Sequence, residues 1–265
     1  MSNSKQQTDF LLAFAAEVKK MVDDGFYDVD YDAKHKPISM SKVLQKSRTI
    51  PIITEVKFSS PSKGTIRKLQ SVKSVVSAME RGGARAISVL TQPKHFNGSL
   101  ENLKEARRAT GLPIVMKDFI FDTRQILAAK KLGADAILLI ERLFTNDRFG
   151  NLSKLIDEVH SNKLEVLLEV NTAEEYERAI KSDADMIGIN NRNLGTLEMD
   201  METTAKVLKN GSETKKLVIS ESGVFSPKEM SVLAKLGAGA FLVGTSIMLS
   251  ADIEAKVREL ASVQK

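Results

Sequence analysis

Cysteine is absent from the sequence, which at once excludes disulfides, thiolate metal sites and cysteine nucleophiles. Histidine is nearly as scarce. His35, His95 and His160 lie scattered without paired spacing, so no zinc-type ligand set is expected, and no carboxylate run has the spacing of a calcium loop. No glycine-rich dinucleotide fingerprint follows a strand-like segment, and a reaction free of metal and cofactor is the expectation. Long hydrophobic runs are lacking too: none approaches the roughly 20 residues of a membrane helix. Lys5 is followed by Asp9, Glu17, Lys19 and Lys20 rather than by the apolar stretch of a secretory leader. A soluble, cytoplasmic protein with no membrane contact is expected. With no obvious apolar stripe left over for a partner, so is a monomer.

An excess of one charge sign is also slight. Lysine and arginine number 39 against 34 acidic residues, for a net charge of +5 and a pI near 9.2. That favours anionic ligands, and because bases and acids are interspersed, a mixed solvated surface rather than a nucleic-acid stripe. What is present is enough apolar material for one large core: 42% of 265 residues are hydrophobic. This suits a single barrel of about 250 residues better than two ordinary domains.

Periodicity gives the architecture. Gly83-Ala84-Arg85-Ala86-Ile87, Gly133-Ala134-Asp135-Ala136-Ile137, Asp183-Ala184-Asp185-Met186-Ile187 and Gly237-Ala238-Gly239-Ala240-Phe241 begin 50, 50 and 54 residues apart. Each closes a helix-like stretch and opens an apolar run, the pattern of a helix C-cap leading into a strand. One further strand candidate falls between each pair, so four units give eight strands. Starts near residues 51, 86, 113, 135, 165, 186, 217 and 240 alternate with amphipathic segments such as 72–81 and 123–132. The expected fold is therefore α/β: a single (β/α)8 TIM barrel over 49–265, preceded by an N-terminal helical extension over 1–48, the two forming one structural domain. An open doubly wound sheet would carry its glycine-rich turn after the first strand, whereas here the glycines gather after the seventh and eighth.

In the extension, Phe10, Leu11, Phe14, Val18, Met21 and Val22 form an apolar stripe at helical spacing, started by Thr8 or Asp9 as N-cap. A second short helix is expected from Ser39 to Gln45. The pair either plugs the bottom of the barrel or packs on its side, or else forms a lid over the active face.

Several strand-like runs end on charged or amide residues, which a buried parallel strand does not carry in its middle. Glu55 and Lys57 end the first, Lys117 the third, Glu169 the fifth, Asn190 the sixth and Glu221 the seventh. In a closed barrel they meet at the carboxyl ends, where barrel enzymes do their chemistry. Two lysines among carboxylates suit general acid–base work on an anionic substrate, and they also suit structural salt bridges. Ser222-Gly223 and Gly244-Thr245-Ser246 follow the seventh and eighth strands, where phosphate-binding barrels offer backbone amides; the same glycines also suit tight turns needing positive φ. Ser60-Pro61-Ser62-Lys63-Gly64 reads as a loop able to close over a ligand or simply to turn. Phe96 and Phe119 are placed to stack an aromatic ring or to join the core.

Together these residues resemble the indole-3-glycerol phosphate synthase family. The segments that carry the resemblance are Glu55-Val56-Lys57 with Ser60-Pro61-Ser62, Phe96-Asn97-Gly98-Ser99, Met116-Lys117-Asp118-Phe119, Leu168-Glu169-Val170-Asn171, Gly188-Ile189-Asn190-Asn191-Arg192, Glu221-Ser222-Gly223 and Phe241 to Ser246. The match runs from about Ile52 to Ser250, and one departure is Phe58-Ser59, where relatives often carry a basic residue after the lysine. The resemblance implies cofactor-free ring closure of 1-(2-carboxyphenylamino)-1-deoxyribulose 5-phosphate to indole-3-glycerol phosphate, with loss of carbon dioxide and water. It further implies Lys117 as the acid on the ribulose carbonyl, supported by Glu55, and Lys57 on the substrate carboxylate. Glu169 takes one of the dehydration roles, Asn190 and Glu221 orient the sugar and the lysines, and Phe96 and Phe119 flank the ring. Ser60, Ser222, Gly223, Gly244 and Thr245 or Ser246 hold the phosphate, and Arg192 joins them in the substrate- and phosphate-binding set.

Three competing readings have distinct requirements. A Schiff-base aldolase would use Lys117 or Lys57 as nucleophile. The isomerase of the same pathway uses a cysteine base that this chain lacks. A non-catalytic or engineered barrel would keep the motifs without the turnover.

Overall fold

The structure, a computed structural model, describes residues 9–68 and 71–265. Eight parallel strands follow one another around a closed barrel: β1 (Ile52–Val56), β2 (Ala86–Leu90), β3 (Ile114–Lys117), β4 (Ala136–Ile140), β5 (Glu165–Val170), β6 (Met186–Asn190), β7 (Leu217–Glu221) and β8 (Ala240–Val243). β8 closes on β1 with Ile52 opposite Phe241 and Thr54 opposite Val243. Every strand begins within one residue of its expected start. Strands β2, β4, β6 and β8 each open three residues after the first residue of the repeat. The reason is the cap: Gly83 and Gly133 end their helices at φ 106° and 89°, a left-handed geometry that glycine adopts at no steric cost. Where Asp183 replaces that glycine, the preceding Ser182 ends the helix instead, extended at ψ 172° with its hydroxyl donating to Ala179 O (2.7 Å).

The outer helices include Val72–Gly82 and Thr123–Leu132, as the amphipathic pattern requires. The second is started by a capping box in which Asp122 and Gln125 each satisfy a backbone N–H at the other's position. Inside the barrel, side chains alternate inward and outward along each strand. On the odd-numbered strands Ile53, Val115, Leu167 and Ile219 are fully buried. Two residues further along, Glu55, Lys117, Glu169 and Glu221 point the same way. Strands packed so tightly by aliphatic residues hold the polar groups above them in fixed positions.

The extension divides between the two ends of the barrel, so the bottom and the active face are each covered by one of its helices. Helix α1 (Phe10–Asp23) is capped by Asp9, whose carboxylate accepts from Leu12 N–H (3.3 Å); the alternative cap, Thr8, lies outside the described residues. It buries Leu11, Phe14, Val18, Met21 and Val22 and lies toward the carboxyl ends of the strands. There the Phe14 ring is 5.7 Å from that of Phe119 and 4.1 Å from that of His95, and Tyr27 beyond the helix donates to Asp118 (3.0 Å). Phe10 does not join the buried stripe: it is 37% exposed, because it stands at the helix start, where its N–H meets only the loop carbonyl of Gly195 (3.0 Å). Helix α2 (Met40–Gln45), with Ser39 as its N-cap, lies at the opposite end. Ser41 N–H donates to the carboxylate of Glu165, the first residue of β5 (2.8 Å), and His35 and Ile38 N–H reach Asp135 just before β4 (2.7 and 2.8 Å). No helix among the described residues is long and apolar enough to cross a membrane.

Candidate active site

Four odd-numbered strands contribute one residue each to a charged layer at the carboxyl end of the barrel. Lys117 Nζ lies 2.7 Å from Glu221 Oε2 and 3.6 Å from both Glu55 Oε1 and Glu169 Oε2. Lys57, two residues beyond Glu55 and therefore on the same face, places its Nζ 2.5 Å from Glu55 Oε2. All three carboxylates are buried. Burial penalises the Lys117 ammonium, but Glu221, Glu55 and Glu169 more than offset it and hold the proton more tightly than on a free lysine. Glu55 is also desolvated, yet Lys57 and Lys117 outweigh that and keep its carboxyl below the ordinary glutamate range. Glu221 goes the other way: burial, with Glu169 and Glu55 adding to it, pushes it up to about 7 in spite of the Lys117 bond.

The layer closes because two neighbours have no side chain. A Cβ on Gly188 would fall 2.1 Å from Glu221 Oε1, and one on Gly244 would fall 2.3 Å from Glu55 Oε2. Real Cβ atoms do not approach so closely. Gly244 therefore answers to space and not to a left-handed turn, since its φ is −117°. The turn reading does hold after β7, where Ser222 and Gly223 sit at φ 68° and 76°.

One pocket gathers nearly all the residues singled out in the sequence. Glu55, Lys57, Lys117, Glu169 and Asn190 form its floor; Ser60, Arg192, Ser222, Gly223, Gly244, Thr245 and Ser246 line it on the side of the late strands, and Phe96 and Phe119 on the side of the early ones. Glu221 alone does not line it, lying fully buried behind Lys117 with Oε1 unpartnered. The rings of Phe96 and Phe119 touch each other, with centroids 6.2 Å apart, so they form one wall and not two faces of a sandwich. Asn190 Oδ1 accepts from Arg192 N–H (2.9 Å), and Arg192 donates to Leu197 O (2.7 Å). The Ser246 hydroxyl is committed to Val224 O (3.0 Å). Phe58, at the position of the departure in charge, is buried in the core, and its carbonyl accepts from Ile66 N–H (2.8 Å). It thus anchors the small hairpin that pairs Ser59 with Thr65.

Sequence reasoning missed several lining residues. The sequence marks Phe14 only as a member of an apolar stripe, whereas it also contributes to the phenyl wall; Leu138, Leu194, Leu197, Met199 and Phe225 add apolar lining. Of these, Phe14 alone carried a usable signal, an aromatic in a helix that one placement sets over the active face. Lys63 lies 5.7 Å from the centroid of the Phe225 ring, joining the loop after β1 to that after β7.

Fold and site together define a (β/α)8 barrel with two lysines and three carboxylates clustered at the carboxyl ends of its strands, flanked by an aromatic wall on one side and glycine loops on the other. Comparison with known proteins specifies it further. A family model described as indole-3-glycerol phosphate synthase matches residues 11–260, and the chain belongs to that family. Proteins named indole-3-glycerol phosphate synthase are similar throughout: that of Methanocaldococcus jannaschii is 43% identical over 236 residues, 88% of this chain and 86% of its own. That of Dehalococcoides mccartyi strain CBDB1 is 42% identical over 86% and 88%, and that of Bacillus cereus strain AH187 is 42% identical over 83% and 85%. Among solved structures, thiamine phosphate pyrophosphorylase from Pyrococcus furiosus superposes with a TM-score of 0.58 at 20% identity, covering 82% of this chain and 95% of its own. An N-acetylmannosamine-6-phosphate 2-epimerase from Clostridium perfringens gives 0.59 at 20% identity, covering 80% and 92%. These two show the shared fold alone.

Proposed function

We propose that this protein converts 1-(2-carboxyphenylamino)-1-deoxyribulose 5-phosphate to indole-3-glycerol phosphate, releasing carbon dioxide and water. The observation that carries the reading is Lys117, a half-buried ammonium held charged by three carboxylates at the floor of a pocket with an aromatic wall. The ring carbon bearing the carboxylate attacks the ribulose carbonyl carbon, and Lys117 gives its proton to the carbonyl oxygen as that bond forms. Lys57 holds the substrate carboxylate until the carbon–carbon bond to it breaks; carbon dioxide departs and the electron pair restores the aromatic ring. The new hydroxyl then leaves as water, protonated by a lysine, while Glu169 takes the proton from the carbon beside nitrogen. Glu55 and Glu221 keep Lys117 charged and aimed.

Asn190, with Oδ1 already occupied, offers its Nδ2 to a sugar hydroxyl. Arg192, the Ser60 hydroxyl and the amides of Ser222, Gly223, Gly244, Thr245 and Ser246 hold the phosphate. Phe96, Phe119 and Phe14 take the anthranilate ring. A Schiff base on Lys117 fits poorly, because a nucleophilic lysine needs a lowered proton affinity and Lys117 has a raised one. The protein acts as a cytoplasmic monomer on this small phosphorylated substrate without nucleic acid, and its extension, residues 1–48, shares one structural domain with the barrel over 49–265. Incubation with the carboxyphenylamino substrate should generate indole fluorescence. A chain that binds the substrate without developing that signal would refute the reaction, and borohydride trapping of substrate on a lysine would favour the aldolase.

A further inference from the structure

Ser222 and Gly223 lie in the left-handed region one after the other, an arrangement costly for serine that persists only where its surroundings impose it. Their surroundings centre on Asn191, which is fully buried and fully bonded. Its Nδ2 donates to Ser222 O (2.9 Å) and, at longer range, to Ser220 Oγ (3.4 Å). Its Oδ1 accepts from both the N–H (2.9 Å) and the hydroxyl (2.8 Å) of Thr204, and that hydroxyl lies 2.8 Å from Ser220 Oγ. The orientation of the amide is settled by bookkeeping of protons. Thr204 N–H can only donate, so the atom facing it is the oxygen, and the NH2 must face Ser222 O.

A trans peptide points its C=O and the following N–H in opposite directions. No cis peptide is present among the described residues. By drawing the Ser222 carbonyl outward, Asn191 therefore turns the Gly223 N–H to the opposite side. Ser222 and Gly223 both line the pocket, and Gly223 N–H has no acceptor among the described residues. We infer that Asn191, braced by Thr204 and Ser220, is a positioning residue that presents the Gly223 amide to the substrate phosphate. The inference rests on the proposed function, in which this loop holds that group.

The test compares wild type with Asn191→Ala and Asn191→Asp, the latter placing an oxygen where the NH2 met Ser222 O. Loss of one amide bond to a charged phosphate should raise KM by roughly tenfold or more with kcat within about twofold of wild type. Inhibition by inorganic phosphate, measured separately, should weaken in parallel, and turnover of the substrate analogue lacking the phosphate should not change. A purely structural role predicts the reverse: a lowered unfolding temperature with KM and phosphate inhibition unaltered, which would overturn the inference. Should both variants fail to fold, Thr204→Val removes only the bracing hydroxyl and should raise KM about threefold; an unchanged KM there would equally refute it. Wild type without indole-forming activity would instead defeat the function reading, and inhibition or binding by inorganic phosphate keeps the two failures apart.

Discussion

Replacing Gly188 by alanine tests whether the charged layer works as a unit. The added Cβ would lie 2.1 Å from Glu221 Oε1, where ordinary contact begins near 3.4 Å, so the carboxylate must retreat by about 1.3 Å. Glu221 has no solvent to retreat into. Its other oxygen holds Lys117 at 2.7 Å, and that bond has to stretch or turn with it. A misplacement of about 1 Å in a catalytic group costs about 10²-fold in rate, which is about 2.7 kcal/mol in barrier at about 1.36 kcal/mol per decade. Gly188→Ala should therefore lower kcat about a hundredfold while leaving KM within about threefold, read from indole fluorescence at saturating substrate. In a Glu221→Ala background the same change should cost little more, because the carboxylate it displaces is gone. A Gly188→Ala enzyme with near-normal kcat, or additive losses in the double variant, would refute the reasoning.

Lys117→Ala should reduce kcat by about 10² or more, the scale of a positioned general acid, and unaltered turnover would remove it from that role. Because its proton affinity is raised above the free-lysine value of 10.5, the charged form persists as pH climbs through that value. The kcat profile of wild type should accordingly show no alkaline decline assignable to this lysine below about pH 10. Tyr27→Phe should destabilise the fold by roughly 1.5–3 kcal/mol, the worth of a hydrogen bond to a charged group, measured by denaturant unfolding at pH 8. Burial pushes Asp118 up to about 6 against the bonds from Thr91, Phe119 N–H and Tyr27. A raised carboxyl favours folding below its unfolded value of 3.8 and loses that contribution as pH rises through about 6. Removing the tyrosine hydroxyl enlarges the loss, so the deficit of Tyr27→Phe should shrink on acidification below pH 6. Gly244→Asp should impair kcat as well as KM, since its side chain would meet Glu55 Oε2; a pure KM effect would mean that the loop moves freely away from the layer.

How much of this was legible in the chain follows from what each feature depends on. Strand starts depend on local signals: apolar runs such as Ala136–Ile140 and left-handed caps such as Gly133. Both survive in one dimension. The polar strand ends were legible for the same reason, because a charge at the end of a buried run has few explanations. Gly188 was not, since inside Met186-Ile187-Gly188-Ile189 it reads as one more small residue, and its purpose is defined by a carboxylate from the next strand. The depth of Glu221 was equally hidden. Its position in sequence matches that of Glu55 and Glu169, yet it lies behind the lysine and out of the pocket. The extension could be read as amphipathic, but only contacts across the barrel show α1 at one end and α2 at the other, because the same apolar stripe serves either surface.

The charged layer also carries an asymmetry that bears on the proposed decarboxylation. Three carboxylates face two lysines, and burial makes the surplus negative charge costly. It is relieved at Glu221, the member shut furthest from solvent, where burial with Glu169 and Glu55 pushes the carboxyl up to about 7, while Lys57 and Lys117 hold Glu55 low. Near neutrality Glu221 is thus partly protonated, which brings the layer close to balance. A substrate carboxylate entering beside Lys57 tips it toward negative again. Lys117 gives its proton to the carbonyl oxygen as this carboxylate departs as neutral carbon dioxide, so the net charge of the site is unchanged by the step, and the balance returns when a proton from solvent recharges Lys117. Lys57→Met should then do more than weaken binding. With one cation gone the carboxylates outnumber the remaining lysine further, Glu221 should hold its proton to higher pH, and the pH dependence of kcat should shift alkaline together with the fall in rate. A Lys57→Met variant with a reduced rate but an unmoved pH profile would show that the carboxylates titrate independently and that the balance plays no part.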